Sequence, residues 1–311
     1  MSVGARFVVF GEALTDFLRE GVDRWRSVPG GAPWNVARVA ARLGVPTGYA
    51  GGVSTDVFGE ELTQLSLAAG LDARFLQRVD RPTLLAMVVS KAPPHYFFVG
   101  ERSADVSFDP ERMPTGWLGQ AEVVYFGSIS LLRQPLGAQL LNLAEQVHAA
   151  GRRICFDPNY RKLASEGYRP AVERMLAIAD YVKLSDEDLA GLFPGAAQPD
   201  GLRALRARAP RAQVLFTRGA EGMQLLADGQ KIERPVYPVP VVDTVGAGDA
   251  CIGAWMASLL LRPGGSLEEH VAWAAAAAAA SCAHAGAYAP LREEVEAICA
   301  GRGGAAAFEK G

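Results

Sequence analysis

The strongest constraint on the fold is an alternation. An apolar run of strand length precedes a longer segment of helical period in RFVVF and PWNVARVAARLG, in TGYAGGV and FGEELTQLSLAAG, and in EVVYFG and QPLGAQLLNLAEQVHAAG. RICFD and the stretch ending at Ala179 repeat it. Strands separated by helices pair in parallel through crossovers, so the chain predicts an α/β fold: a doubly wound, mainly parallel sheet flanked by helices. In the first helical segment Val36, Val39, Ala40 and Leu43 fall on one face, Pro33 suits the first turn, and Gly44 suits the left-handed position after the last.

Two stretches break the pattern. Residues 17–29 and 84–98 read as short strands without helices between them, LLAMVVSKAPPHYFFV as two strands about a Pro-Pro turn. They form either a small second sheet or decoration of an edge. Half of the 311 residues are hydrophobic, enough for one large core, yet no apolar run approaches the roughly 18 residues of a membrane span. The N-terminal run MSVGARFVVFGEAL lacks a signal-peptide layout, so a cytoplasmic protein is expected. A net charge of −3 with scattered basic residues argues against nucleic acid. Cys155, Cys251, Cys282 and Cys299 form no C-x-x-C pair and the histidines no metal spacing, which leaves buried thiols as the expectation.

Chemistry concentrates in two glycine-led helix starts. In VVDTVGAGDACIGAW a dinucleotide fingerprint fails because Cys251 stands at the third glycine position and Pro238 and Pro240 precede the loop. There is no P-loop. What remains is a turn whose N–H groups at Ala247, Gly248 and Asp249 open a helix, a natural anion site. Asp249 is then either an N-terminal cap or a carboxylate with a chemical task beside a bound anion. In PGGAPWNVA, Gly30 and Gly31 permit close backbone approach, and Asn35, one turn on, can donate and accept, as a polyhydroxylated ligand requires. Asp16, after the first strand, is expected at the carboxyl end of the sheet. Residues 274–280 are all alanine, either a tightly packed helix or a surface for close ligand approach.

Together GGAPWNVA and DTVGAGD resemble the two signatures of the ribokinase-like (PfkB) carbohydrate kinases, in the right order and separation. GGVSTDVFGEEL, FDPNYR and TRGAEG extend the resemblance over nearly the whole chain. It implies one kinase domain over 1–311, with lid strands inserted at about 17–29 and 84–107. It also implies ATP-dependent transfer of the γ-phosphoryl group to a sugar hydroxyl, and a homodimer formed through the lid. By the same resemblance Asp249 is the catalytic base and Gly246, Ala247 and Gly248 belong to the anion hole. Asp16, Gly30, Gly31, Asn35, Arg102 and Arg161 fall on the sugar side, with Asp157 and Asn159 orienting the site; Arg161 alternatively makes a surface ion pair. Lys183, Ser185, Thr217, Gly219, Gly222 and Ala275 fall on the nucleotide side. No asparagine interrupts the alanines, so adenine recognition would rely on shape and backbone. In KLSDEDL, Ser185 and Asp188 replace the usual Asn and Glu, and Asp188 or Glu187 would serve Mg2+ through water unless residues 186–188 are only a solvated helix start. Asp243, with the Val245 carbonyl, matches a monovalent cation site, typically K+; otherwise it caps its loop.

The motifs look most like the fructokinase and 2-keto-3-deoxygluconate kinase branch. A sugar acid needs several cations, and Arg161, Lys162 and Arg102 are few, so fructose, giving fructose 6-phosphate, is the expected substrate. 2-Keto-3-deoxygluconate is the alternative. A non-catalytic sugar-binding protein of the same fold is the alternative from another class.

Overall fold

A computed structural model describes residues 4–91, 94–160 and 167–301. In chain order its strands are β1 (Phe7–Phe10), β2 (Leu14–Arg19), β3 (Trp25–Gly30), β4 (Thr47–Ser54), β5 (Leu76–Val79), β6 (Leu84–Lys91), β7 (Pro94–Val99), β8 (Val123–Gly127), β9 (Arg153–Asp157), β10 (Tyr181–Ser185), β11 (Gln213–Thr217), β12 (Met223–Ala227) and β13 (Gln230–Arg234). The α-helices are α1 (Ala32–Arg42), α2 (Val57–Ala68), α3 (Trp117–Gln120), α4 (Leu136–Ala149), α5 (Tyr168–Ile178), α6 (Asp186–Leu192), α7 (Gln198–Arg208), α8 (Ala247–Leu261), α9 (Leu267–Cys282) and α10 (Arg292–Cys299).

Among the described residues one sheet runs β13-β12-β11-β10-β9-β8-β1-β4-β5. It is parallel from β5 to β11, and β12 and β13 close it as an antiparallel hairpin. Strand alternation builds its two cores. Phe7, Val9, Tyr125 and Leu215 pack with α1, α8 and α9 on one face, while Val8, Phe10, Phe126 and Phe216 pack with α4 and α5 on the other. The predicted stripe of α1, Val36, Val39, Ala40 and Leu43, is buried, and six of the seven alanines at 274–280 lie in the core between α9 and its neighbours. Ala278 is the half-buried one.

The helix-free stretches form a second sheet, β3-β2-β6-β7, in which β2 and β6 are parallel and both outer pairs antiparallel. The expected strand range 84–107 is too long. The strand ends at Val99, and Ala104–Ser107 is a 3-10 turn packed so closely on β4 that a Cβ at Gly52 would lie 2.1 Å from the Ala104 carbonyl oxygen. Asp16 is also placed differently from expectation. It lies within β2 of the small sheet because the chain leaves β1 directly into that sheet.

Helices α1 and α8 carry the two glycine-led starts, and they meet closely. A Cβ on Gly253 would sit 2.8 Å from Val39 Cβ and 2.9 Å from the Val36 carbonyl oxygen. Gly253→Ala is therefore expected to force the helices apart at a cost of about 1–3 kcal/mol, with lower turnover because both starts shift. Thermal melts and kinetics check it; a variant as stable and active as the parent would contradict this packing.

Candidate active site

The loop before α8 enters the helix through Gly246, whose φ of 78° is left-handed and whose missing Cβ would strike Ala287 Cα at 2.6 Å. Ala247, Gly248 and Asp249 are the first three helical residues, and no side chain caps the helix. Its first amide groups and dipole are thus arranged for an anion. Gly31 does the same for α1: φ is 112°, and a Cβ there would lie 2.6 Å from the Glu12 carbonyl oxygen.

The two starts converge. Asn35 Nδ2 donates to Asp249 Oδ2 at 2.8 Å across 214 residues of sequence. Asn35 is 6% exposed, and its Oδ1 has no partner among the described residues. A buried acceptor without a partner costs free energy unless something donates to it, so this oxygen is poised for a hydroxyl. The small sheet covers this mouth: Asp16 Oδ2 fills the place a Gly30 side chain would take, 2.5 Å from its Cβ position, and Val28 approaches Gly286 to 3.7 Å from the corresponding point.

Behind the anion site stands a buried ion pair. Lys183 Nζ donates to Asp157 Oδ2 at 3.1 Å, with side chains 8% and 2% exposed. Nζ lies 3.2 Å from the Cβ position of Gly248, so a residue with a side chain there would crowd it. Burial works against the ammonium charge, but Asp157 and Asp188 overcome it and hold the Lys183 pKa above its ordinary value. Asp157 also accepts from the Asn159 amide at 3.0 Å.

Of the residues expected on the nucleotide side, Ser185 at the end of β10 pairs in register with Thr217 at the end of β11. Gly219 and Gly222 follow, both with positive φ. Ser185 caps α6, its Oγ accepting from the Asp188 amide at 3.1 Å while Asp188 Oδ2 accepts from the Ser185 amide and hydroxyl at 2.8 Å. Asp188 is buried in this capping box, and Asp186 and Glu187 are more open to solvent. Asp243 accepts from the amides of Val245 at 3.2 Å and Gly286 at 3.3 Å, fastening the loop before α8 to the one after α9. Ala275 is 3% exposed and packs in the core. Arg102 is exposed in the turn after β7, and no described contact joins it to Asn35 or Asp249. Arg161 and Lys162 lie outside the described residues.

Sequence reasoning passed over Glu12. It is 2% exposed, and its carboxylate accepts from Ser128 Oγ at 2.7 Å and from Ser130 Oγ. Burial pushes its pKa up to about 7, against the pull of both serines. The native state then keeps a proton that the unfolded chain releases above about 4.5, so stability falls as pH rises from there through 7. Glu12→Gln removes the titration. Relative to the variant, the parent should lose a few kcal/mol between pH 5 and pH 8, at about 1.4 kcal/mol per pH unit. Parallel melting temperatures at the two pH values would refute this.

Residues 5–294 match the family described as pfkB family carbohydrate kinase. A fructokinase of Klebsiella pneumoniae is 34% identical over 258 residues, covering 81% of this chain and 83% of that one. Fructokinase-1 of Oryza sativa subsp. japonica is 31% identical, with 94% and 96% covered. A crystal structure of fructokinase with bound ATP from Xylella fastidiosa superposes with a TM-score of 0.86 at 27% identity, covering 96% of this chain and 99% of that one. A fructokinase from Vibrio cholerae O395 in a fructose, ADP and calcium ion bound form superposes at 0.84 with 25% identity, covering 96% and 100%.

Proposed function

The chain belongs to the pfkB family of carbohydrate kinases, and from that premise we propose that it is an ATP-dependent fructokinase producing fructose 6-phosphate. The observation that carries the reading is the 2.8 Å contact between Asn35 and Asp249, which sets a hydrogen-bonding sugar partner against a carboxylate at the mouth of an anion site.

We assign Asp249 as the base. The sugar hydroxyl oxygen attacks the γ-phosphorus, the bond to the bridging oxygen breaks, ADP leaves with that electron pair, and the hydroxyl proton passes to Asp249. The α8 amide groups and Lys183 stabilise charge on the transferred group. Asp16 and Asn35 orient the sugar, and Gly30 and Gly31 keep its place open. Ser185, Thr217, Gly219 and Gly222 border the nucleotide. The alanines of α9 back this region from the core, which leaves its shape to the loops.

Among the described residues no three potential ligands form a metal cluster, so a closed metal cage does not fit. A hydrated Mg2+ would instead be held through water by the carboxylates of Asp188 and Glu187 and would neutralise phosphate charge. We assign a K+ to the Asp243 loop, where carboxylate and carbonyl oxygens would hold it. We read the chain as one catalytic domain with the small sheet as its lid. Phe97 and Val99 project from β7 on the face opposite Asp16, 49% and 48% exposed, and supply an apolar surface for a lid-to-lid homodimer. No described helix is long and apolar enough to cross a membrane, and we place the enzyme in the cytoplasm, beside its nucleotide donor.

A coupled assay of ADP release over fructose, 2-keto-3-deoxygluconate, ribose and nucleosides, with and without K+, tests the reading. Fructose should give the highest kcat/KM. No release with any sugar would overturn the kinase assignment, and preference for the sugar acid would overturn the substrate.

A further inference from the structure

Glu12 begins a chain of buried polar contacts that ends at the anion site. Its carboxylate takes the hydroxyls of Ser128 and Ser130, which are 3% and 0% exposed, and no ion pair to it occurs among the described residues. Ser128 Oγ in turn accepts from Asn159 Nδ2 at 3.3 Å. Asn159 binds Asp157 through its amide, and Asp157 holds Lys183 beside Gly248. The other end touches the sugar side, where the Glu12 carbonyl oxygen fills the space behind Gly31.

Backbone conformation marks the same links independently. Among the described residues three non-glycine residues have left-handed φ: Ser128 at 63°, Asn159 at 41° and Asp228 at 50°. Asp228 precedes Gly229 in the hairpin between β12 and β13, where such a residue is ordinary. Ser128 and Asn159 sit in no such hairpin, and they are bonded to each other. Conformations of this kind persist where the surroundings over-determine them, and Glu12 supplies that determination from the centre of the fold.

We infer that Glu12 is a positioning residue for phosphoryl transfer: through Ser128, Asn159 and Asp157 it fixes where Lys183 stands at the anion site while its own backbone fixes Gly31. This rests on the kinase reading above. A misplacement of about 1 Å in a reacting group is enough to cost roughly 10²-fold in rate, so the effect belongs in kcat.

The test compares steady-state kinetics and thermal melts of the parent, Ser128→Gly, Glu12→Gln, Glu12→Met and the Ser128→Gly/Glu12→Met double variant. Glycine accepts the left-handed backbone and deletes the hydroxymethyl group, hydroxyl included. Gln can offer its amide oxygen to Ser128 and its NH2 to Ser130, whereas Met fills the space with no acceptor. Ser128→Gly and Glu12→Met should lose about 10- to 100-fold in kcat, with KM for both substrates within about threefold. Glu12→Gln should retain kcat within about threefold, and the double variant should be no worse than its poorer parent. Parent-like kcat in Ser128→Gly overturns the role, as does Glu12→Gln falling with Glu12→Met, or losses that merely follow a lowered melting temperature. A parent enzyme inactive on every sugar overturns the kinase reading itself, and this role with it.

Discussion

Asp249→Asn should lower kcat by about 10²-fold or more while leaving ATP affinity nearly unchanged, the expected loss for a general base. The substitution is close to isosteric. The amide oxygen it introduces can still accept from Asn35 Nδ2, so the 2.8 Å bridge between α1 and α8 survives and the α8 amide groups stay in place. What disappears is the capacity to take a proton from the attacking hydroxyl. Calorimetric binding of ATP together with turnover on fructose separates the two functions of the loop. Unchanged turnover would remove Asp249 from proton transfer. Loss of ATP binding along with turnover would show instead that the carboxylate holds the loop together.

How much of this site could be read from the chain depends on the distance over which each residue makes its contacts. The α1 start was legible because Pro33, the glycines and the buried stripe through Leu43 are all local, and local pattern reports local structure. Pro238 and Pro240 likewise argued against a central strand before the loop, and residues 235–242 join none. Asp16 was singled out as a candidate, but its place within a strand was not legible, since nothing in GEALTD tells a loop at the sheet's end from a strand turning into a second sheet. Glu12 lies four residues earlier and gave no signal: its partners Ser128 and Ser130 are 116 and 118 residues away, and a serine in YFGSIS looks like any turn residue. The alanine run was legible as a packed helix, yet its burial makes it a wall of the core first, with Ala275 inside that wall.

Lys183 and Asp157 illustrate the same limit and carry the other large expectation. Lys183→Met should destabilise the protein by about 3–5 kcal/mol, because Asp157, 2% exposed, then keeps a buried carboxylate without its counter-charge. For a chain of 311 residues that corresponds to a fall of roughly 5–8 °C in melting temperature. Adding Asp157→Asn removes the stranded charge, and the new side-chain amide can still accept from the Asn159 backbone N–H through its oxygen, so the double variant should regain most of the lost stability. It should not regain activity. The ammonium 3.2 Å from the Cβ position of Gly248 is gone in both variants, and losing a charge-stabilising donor at the anion site costs about 10²- to 10³-fold in kcat. Stability and turnover thus part company in one pair of substitutions. A double variant that recovers turnover with stability would make Lys183 a structural counter-ion alone, and a Lys183→Met enzyme of parental stability would show that Asp157 stays neutral once its partner is removed.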